Sequence, residues 1–261
     1  MTSLPAWRRS WLILTGLLVG AFLVVPTLIV VPLSFSGSSL LRFPPETWSL
    51  RWYESFVRSP EWREATVVSL QVALLTTLVA TPIGSAAAYG LNEARGRFVR
   101  IAFVILLLPL LIPVVLIGVG LFFVFARTGL LNTIAGLVLA HSLLAVPLVA
   151  IVVRSALSSF DLNQERVARS LGASRLTAFL TVTLPQIRVS VATGALLAFL
   201  TSFDEVVVAT FIAGGDATTL TKRMFLALRD EIEPTIAAIS TLMIALTFVI
   251  LLAVGRLTRK V

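Results

Sequence analysis

Residues 161–185 read DLNQERVARSLGASRLTAFLTVTLP, a polar, arginine-bearing segment between two long apolar runs. Asp161 can cap the start of a helix, and Gln164 stands three residues later in the capping-box position. Gly172 stands where a residue in the left-handed conformation would end that helix. The pattern predicts a short helix of about three turns, which gives an otherwise apolar chain a folded aqueous surface.

The rest of this segment predicts a second helix. Ser174 offers its N-terminal cap, and Pro185 ends it. Apolar residues recur between them at helical spacing, at Leu176, Phe179, Leu180 and Leu184. We expect this amphipathic helix to lie along a membrane surface. A solvated connector that only follows the positive-inside rule is the alternative interpretation of the helix pair.

The composition of the 261-residue chain indicates the class of protein. Hydrophobic residues make up 57% of the sequence, charged residues make up 13%, and the mean hydropathy is +0.99. Because these apolar side chains exceed what one soluble core could bury, we predict an all-α polytopic membrane protein. The sequence contains no cysteine, which excludes disulfides, thiolate metal sites and a cysteine nucleophile.

Six apolar segments are each long enough to cross a hydrocarbon core of roughly 30 Å. The first is longer than a signal-peptide core, so we interpret it as a retained anchor. The second is rich in Thr, Gly and Ala, and small residues favour close contact between helices. We treat residues 1–261 as a single transmembrane domain, with spans at about 11–35, 65–91, 101–126, 131–153, 189–213 and 235–254.

Basic residues are distributed unevenly between the two predicted sides of the membrane. The side with both termini, the 91–100 connection and the 154–188 loop has thirteen Lys and Arg against three Asp and Glu, whereas the opposite loops have eight of each. This bias predicts that the termini and the 154–188 loop are cytoplasmic. The net charge of +8 therefore reflects topology, and no nucleic acid partner is expected. The outer run WSLRWYESF, residues 48–56, predicts a surface helix.

Few residues in the chain have the chemistry of a catalytic site. The one histidine, His141, precedes Ser142 within the fourth predicted span. An intramembrane serine protease could use such a pair, but no G-x-S-x-G elbow accompanies it, so we expect His141 to hydrogen-bond a neighbouring helix. A second histidine that could share a metal is missing, as is a G-x-x-x-x-G-K-[ST] phosphate loop. We predict a chain that is not an enzyme and has no metal or cofactor of its own.

The 161–185 segment resembles the cytoplasmic EAA loop of binding-protein-dependent ABC importer permeases. That loop reads E-A-A, three residues, G, nine residues, then I-x-L-P, and the matching positions hold Ala168, Gly172, Val182, Leu184 and Pro185. Arg166 replaces the glutamate and Val167 the first alanine, although Glu165 supplies an acid one position earlier. In the family this loop docks a short helix into a groove on the ATPase subunit. The resemblance implies ATPase coupling by Glu165, Arg166, Ala168, Gly172, Leu184 and Pro185.

A second resemblance extends over nearly the whole chain. The run TSFDEVVVATFIAGG (201–215), the following TLTKRMF, and the SLRWYESF and LNEARGRF elements are similar to the second permease of spermidine/putrescine importers. This resemblance implies a type I ABC importer permease fold. It also implies import of a small cationic solute, a polyamine such as spermidine or putrescine, across the bacterial inner membrane by alternating access. Related permeases import other small organic solutes or iron, and these are the alternatives for the substrate.

The same resemblance implies the other components of the transporter. They are a second homologous permease that differs from this chain, a pair of ATPase subunits that bind the ATP, and a periplasmic solute-binding protein. A stand-alone channel or secondary transporter would not need the cytoplasmic helix pair. A membrane enzyme is disfavoured because the chain lacks the nucleophiles and metal ligands that such an enzyme would use.

Two adjacent acids, Asp204 and Glu205, fall within the fifth predicted span. A carboxylate inside a membrane costs about 2.5 to 3.5 kcal/mol on insertion scales, which favours a functional role. We assign the solute pathway to Phe203, Asp204 and Glu205. Adjacent helix positions differ by about 100°, so one acid is expected to line the pathway while the other contacts a partner subunit. Pairing with a basic residue or snorkelling to the outer surface are the structural alternatives.

Overall fold

The computed structural model describes residues 6–39, 42–94, 96–230 and 234–259, and the side chains in these ranges apart from 6–9, 254 and 257–259. Arg95 and Lys260, two of the basic residues in the charge count, lie outside the described residues. The described secondary structure is helical apart from loops, turns and an isolated bridge between Ser36 and Trp48. This confirms the predicted all-α class.

Twelve α-helices follow one another in the described residues. They are α1 (Ala6–Ser34), α2 (Arg51–Arg58), α3 (Pro60–Glu93), α4 (Arg97–Leu111), α5 (Val114–Thr128), α6 (Ile134–Ser159), α7 (Asn163–Ser170), α8 (Arg175–Ala178), α9 (Leu184–Phe203), α10 (Val207–Ile212), α11 (Leu220–Asp230) and α12 (Thr235–Arg259). A π-helical turn, Phe179–Thr183, joins α8 to α9, and a 3-10 turn, Gly215–Ala217, precedes α11.

By length and composition, five helices of the described chain could cross a membrane, and the number is six if one bent helix pair counts as a span. The five helices are α1, α3, α6, the continuous α8–α9 helix and α12. The sixth is the pair α4 and α5, which are bent by 99° at a short break. Counted in this way, the apolar segments follow the predicted order, although the third and the fifth differ in form from the predicted spans.

The third predicted span, 101–126, is wrong as a single helix. The chain breaks at Ile112, whose backbone is extended with ψ of 135°, and α5 starts after Pro113. The residue before a proline is pushed out of the helical region by the proline ring. Pro113 therefore turns one apolar run into two helices of 15 residues each.

The fifth predicted span, 189–213, is wrong at both ends. The helix begins at Arg175 and runs through Pro185 to Phe203, so Pro185 does not end the preceding segment. The π turn Phe179–Thr183 comes directly before Pro185. A proline lacks the N–H that would continue the helix and crowds the preceding turn, and a widened turn relieves both problems. At the other end, the helix stops before the acid pair.

The contacts divide the chain into two compact units, the first formed by residues 1–60 and 227–248, the second by 61–226 and 249–261. In the first unit, Ser34 Oγ and Tyr53 Oη share a hydrogen bond of 2.7 Å, and Arg51 Nη1 donates to the carbonyl of Gly37 at 2.7 Å. The predicted helix in the 48–56 run is confirmed as α2.

The second unit packs α3, α6 and α9 closely together. A methyl group at Gly84 of α3 would lie 2.7 Å from the Cβ of Val149 on α6, and one at Gly194 of α9 would lie 3.2 Å from the Cγ1 of the same valine. Val149 thus fills the space that the two glycines leave. This confirms close contact through small residues in α3, whose buried face includes Thr76, Ala80, Gly84 and Ala88.

His141 is 1% exposed and lies on α6. Its Nδ1 shares a hydrogen bond of 2.8 Å with the hydroxyl of Ser202 on α9. The expected bond from this histidine to a neighbouring helix is confirmed. The bond lies two residues before Asp204 in sequence, and it fixes the last turn of α9 against α6.

Candidate functional site

The segment 161–185, here called the loop segment, contains α7. The N-cap of α7 is Leu162 and not the predicted Asp161, although the Asp161 carboxylate accepts a hydrogen bond of 3.0 Å from the amide of Asn163, the first residue of the helix. The Gln164 side chain does not serve the predicted capping box, since its carbonyl accepts from Gln186 Nε2 at 2.6 Å. With eight residues, α7 is about two turns long and shorter than predicted.

The C-terminus of α7 has the geometry expected from the sequence. Gly172 has φ of +95°, in the left-handed region. Its amide donates to the carbonyl of Arg169 at 3.0 Å, and the Ala173 amide donates to that of Ala168 at 3.2 Å. These are the two bonds of a Schellman motif. A side chain at position 172 would be strained in this conformation even though no atom lies within 4 Å of its Cβ.

Glu165 points into the protein. Glu165 is only 2% exposed, and both of its carboxylate oxygens accept hydrogen bonds. Oε1 accepts a hydrogen bond from the hydroxyl of Tyr89 on α3, and Oε2 accepts one of 2.8 Å from the hydroxyl of Thr183 in the π turn. Of the residues assigned to ATPase coupling, Glu165 is thus the one that faces inward.

The opposite face of α7 is exposed and mixed in character. Arg166 is exposed, with Nη1 donating to Asn163 Oδ1 at 3.2 Å. Val167 is 60% exposed and Leu171 is 84% exposed, although both are large apolar residues. We call Arg166, Val167 and Leu171 the outer face of α7. Ala168 is half-buried beside it.

The remaining loop residues hold the segment onto α3. Ser174 Oγ accepts from the Thr177 amide at 3.1 Å, which confirms the second predicted cap. Arg175 forms an ion pair with Glu93 at the end of α3. An apolar groove of about 590 Å³ lies between α3 and the α8–α9 helix, and Leu184 is one of the residues that line it. Pro185 is exposed.

The segment 204–222, here called the break segment, starts where α9 ends. Phe203 is 5% exposed and its ring stacks on Phe199 with centroids 5.7 Å apart. Asp204 is exposed. The Glu205 Oε1 accepts a hydrogen bond of 2.7 Å from the amide of Val208, so this carboxylate caps the start of α10. Asp204 is therefore the more exposed acid of the pair.

The short helix α10 is held at both ends by charged side chains. The Lys222 ammonium donates to the carbonyls of Thr210, at 3.3 Å, and Ala213 at its C-terminus. A negative group at the N-terminus and a positive group at the C-terminus both complement the helix dipole. Burial lowers the pKa of the Lys222 amine, since the charged form loses hydration.

Backbone contacts complete the position of α10. The Asn132 amide donates to the carbonyl of Ile212 at 2.9 Å, and Thr221 Oγ1 donates to that of Glu205 at 2.9 Å. A smaller pocket of about 160 Å³ lies near the 3-10 turn. It is lined by Glu61, Glu64, Ala65, Gly215, Asp216, Thr218 and Arg223.

Three residues that organise these segments were not predicted. Tyr89 and Thr183 bind Glu165, and Lys222 binds α10. Tyr89 is one of two tyrosines, and Lys222 lies in the TLTKRMF run that carried the resemblance. The sequence offers no other signal for these three residues. Their hydrogen-bond partners are either distant along the chain or are backbone carbonyls, and neither can be recognised from a local pattern.

Residues 80–261 match a family model described as "Binding-protein-dependent transport system inner membrane component". The chain belongs to this family. It is a permease subunit of an ABC importer and a multi-pass inner-membrane protein. The predicted family is thereby confirmed.

Curated relatives of this permease are transport proteins. The putrescine transport system permease protein PotI of Escherichia coli K12 is 35% identical over 257 residues, covering 94% of this chain and 89% of that protein. The spermidine/putrescine transport system permease protein PotC of Haemophilus influenzae is 29% identical, covering 93% and 94%. The molybdenum transport system permease protein ModB of Mycobacterium bovis is 29% identical, covering 82% and 84%.

Solved structures share the fold of this permease. A bacterial ABC transporter involved in the import of alginate aligns with a TM-score of 0.70 at 15% identity, over 100% of this chain and 99% of that one. The MetNI methionine ABC transporter aligns with a TM-score of 0.59 at 18% identity, over 77% and 98%. These alignments confirm the predicted type I permease fold.

Proposed function

We propose that this permease carries a small cationic solute, a polyamine such as putrescine or spermidine, from the periplasm to the cytoplasm. The observation that carries the proposal is the position of Asp204. The exposed Asp204 stands at the end of a membrane helix, while the carboxylate of its neighbour Glu205 is already bonded to an amide of α10. The names of the relatives PotI and PotC support the same class of solute.

The chemistry of an ammonium group explains why one free carboxylate suits this position. A polyamine that leaves a receptor loses part of its hydration, and a fixed negative charge offsets that loss. A single carboxylate also binds weakly enough to release the solute inward. The lining of the small pocket has three acids, Glu61, Glu64 and Asp216, against one arginine, Arg223, which pairs with Glu61, so it adds net negative charge on the same unit.

The proposal includes the orientation of the chain and its partners. Both termini and the loop segment lie in the cytoplasm, as the bias of thirteen basic to three acidic residues favours. The outer face of α7 docks onto one of two ATPase subunits, which bind and hydrolyse the ATP. A second, different permease completes the pathway, and a periplasmic binding protein delivers the solute. The cycle is alternating access driven by closure of the ATPases.

A permease for another small solute is the second candidate. The relationship to ModB, a molybdenum transport permease, favours this possibility because its identity to this chain is equal to that of one polyamine relative. Asp204 argues against an anionic solute, since two negative charges would repel each other at the break segment.

Receptor-stimulated ATPase activity tests the proposal. The complete transporter is reconstituted in lipid vesicles, and its ATPase rate is measured with receptor loaded with putrescine, spermidine, a neutral amino acid, molybdate or ferric iron. We expect stimulation and uptake for the polyamines. Stimulation by molybdate or by a neutral solute, with none by polyamines, would show that the polyamine assignment is wrong.

A further inference from the structure

We infer that Glu165 is a positioning residue that locks α7 to α3 and to the π turn, so that displacement of α7 is passed directly to two membrane helices. The inference rests on the proposed docking of α7 to an ATPase. We call Tyr89, Glu165 and Thr183 the carboxylate lock. The inferred role of Glu165 goes beyond that docking, because Glu165 lies on the inward face of α7.

The geometry of the carboxylate lock joins three separate elements. Tyr89 is 76 residues before Glu165 and Thr183 is 18 residues after it, and each donates its hydroxyl to a different carboxylate oxygen. Thr183 is fully buried at 0% exposure. A buried carboxylate needs donors on both oxygens, because an unsatisfied charge in the interior is strongly unfavourable. Separation of α7 from Tyr89 or from Thr183 would leave one carboxylate oxygen without a donor and would therefore be unfavourable.

Apolar contacts reinforce the same junction. The ring of Tyr89 meets the ring of Phe179 edge to face, with centroids 4.7 Å apart, and Phe179 begins the π turn that Thr183 ends. The guanidinium of Arg175 lies 5.3 Å from the centroid of the Tyr89 ring. Tyr89 therefore contacts the π turn through its ring and α7 through its hydroxyl. A π turn has weaker packing of its backbone than an α-helix and is a place where a long helix can bend.

The two faces of α7 thus have different tasks. The outer face presents Arg166, Val167 and Leu171 to the exterior, while Glu165 fastens the helix to the bundle. A movement imposed on the outer face reaches α3 and the α8–α9 helix through the carboxylate lock. Without the carboxylate lock, α7 can still dock onto the ATPase, but its movement is not passed on to α3 and the α8–α9 helix. The expected defect is ATP hydrolysis without matching transport.

Conservative variants remove single hydroxyls and keep the packing. Tyr89→Phe retains the ring contact with Phe179, and Thr183→Val retains the shape of the side chain. Matched controls are Tyr53→Phe, which also removes a bonded tyrosine hydroxyl, and Thr181→Val, which removes an exposed hydroxyl in the same turn. Glu165→Ala removes both acceptors at once.

The test measures co-purification of the complex, ATPase rate and solute uptake in the reconstituted transporter. We expect Tyr89→Phe and Thr183→Val to co-purify with the ATPase and hydrolyse ATP like the parent, while uptake per ATP falls about fivefold or more. The double variant Tyr89→Phe/Thr183→Val should lose no more uptake per ATP than Glu165→Ala, because both variants remove the same carboxylate lock. The controls should keep the parental ratio of uptake to hydrolysis.

Two outcomes would overturn the inference. One is an unchanged ratio of uptake to hydrolysis in all lock variants. The other is a parallel loss of assembly, hydrolysis and uptake, which would show that Glu165 only stabilises the fold. Failure of the proposed function looks different, since it appears in the parent complex as a missing response to polyamines. The ratio can then be measured with whichever solute the parent imports.

Discussion

The loop segment and the break segment each contain two adjacent charged residues, and in each segment one of the two is exposed. In the loop segment Glu165 is buried and Arg166 is exposed, whereas in the break segment Glu205 caps a helix and Asp204 is exposed. The difference lies in the partners. Glu205 binds an amide three residues away, while Glu165 binds hydroxyls that lie 76 and 18 residues away. Local geometry explains why Glu205 is occupied, and only the tertiary fold explains why Glu165 is buried.

The largest expected effect concerns the exposed acid of the break segment. Asp204→Asn should lower polyamine uptake about tenfold, because it removes a charge contact worth about 1.4 kcal/mol. Complex assembly should be unchanged. Glu205→Gln should cost less, since its amide oxygen can still accept the Val208 hydrogen bond. Uptake by reconstituted vesicles measures both, with Asp230→Asn as a control for an exposed acid. Equal effects at positions 204 and 205 would remove the proposed difference between the two acids.

A second effect concerns the opposite end of α10. Lys222→Met should destabilise the transporter by about 1–3 kcal/mol, since two carbonyls of the short helix lose a charged donor. The measurement is thermal unfolding of the purified complex in detergent. Lys222→Arg retains the charge and is the control. If Lys222→Met unfolds at the parental temperature, the break segment does not depend on this contact.

Gly172→Val should have a smaller effect at the end of α7. A β-branched residue with positive φ is strained by about 1 kcal/mol or more, which would displace the outer face of α7. We expect uptake per hydrolysed ATP or recovery of the complex to fall. Gly20→Ala is the control, because its glycine lies within α1 without a positive φ and with no atom near its Cβ. Normal assembly and transport by Gly172→Val would show that the left-handed end is not required.

Arg166→Glu should have the smallest effect. Exposed ion pairs contribute about 0–1 kcal/mol, so loss of one contact to an acidic groove would weaken ATPase binding by about fivefold at most. A titration of the ATPase subunit onto the permease measures the affinity, with Arg169→Glu as a second exposed arginine for comparison. A much larger loss would show that Arg166 is buried at the interface. No change would show that this arginine lies outside the contact.

Much of the fold could be predicted because its signals are local. Apolar length predicts the spans, and capping residues predict the C-terminus of α7 and the start of α8. The errors occurred at prolines, whose effect on a helix depends on the geometry of the turn around them. Pro185 does not end its helix, because the π turn accommodates it within a long membrane helix. The 101–126 run breaks at Pro113, although proline within α3 at position 82 does not divide that helix.

The sequence by itself determined the class of protein, the order of its apolar segments, the capped loop segment and the acid pair, because these depend on composition and near neighbours. Only the tertiary structure decided that Glu165 is buried, whereas the exposure of Asp204 follows from a local turn. Tyr89 and Thr183 bury Glu165, and the turn into α10 occupies Glu205 and leaves Asp204 exposed. A carboxylate in an apolar protein is directed by the donors within its reach, and a folded chain brings those donors from positions that the linear pattern does not relate.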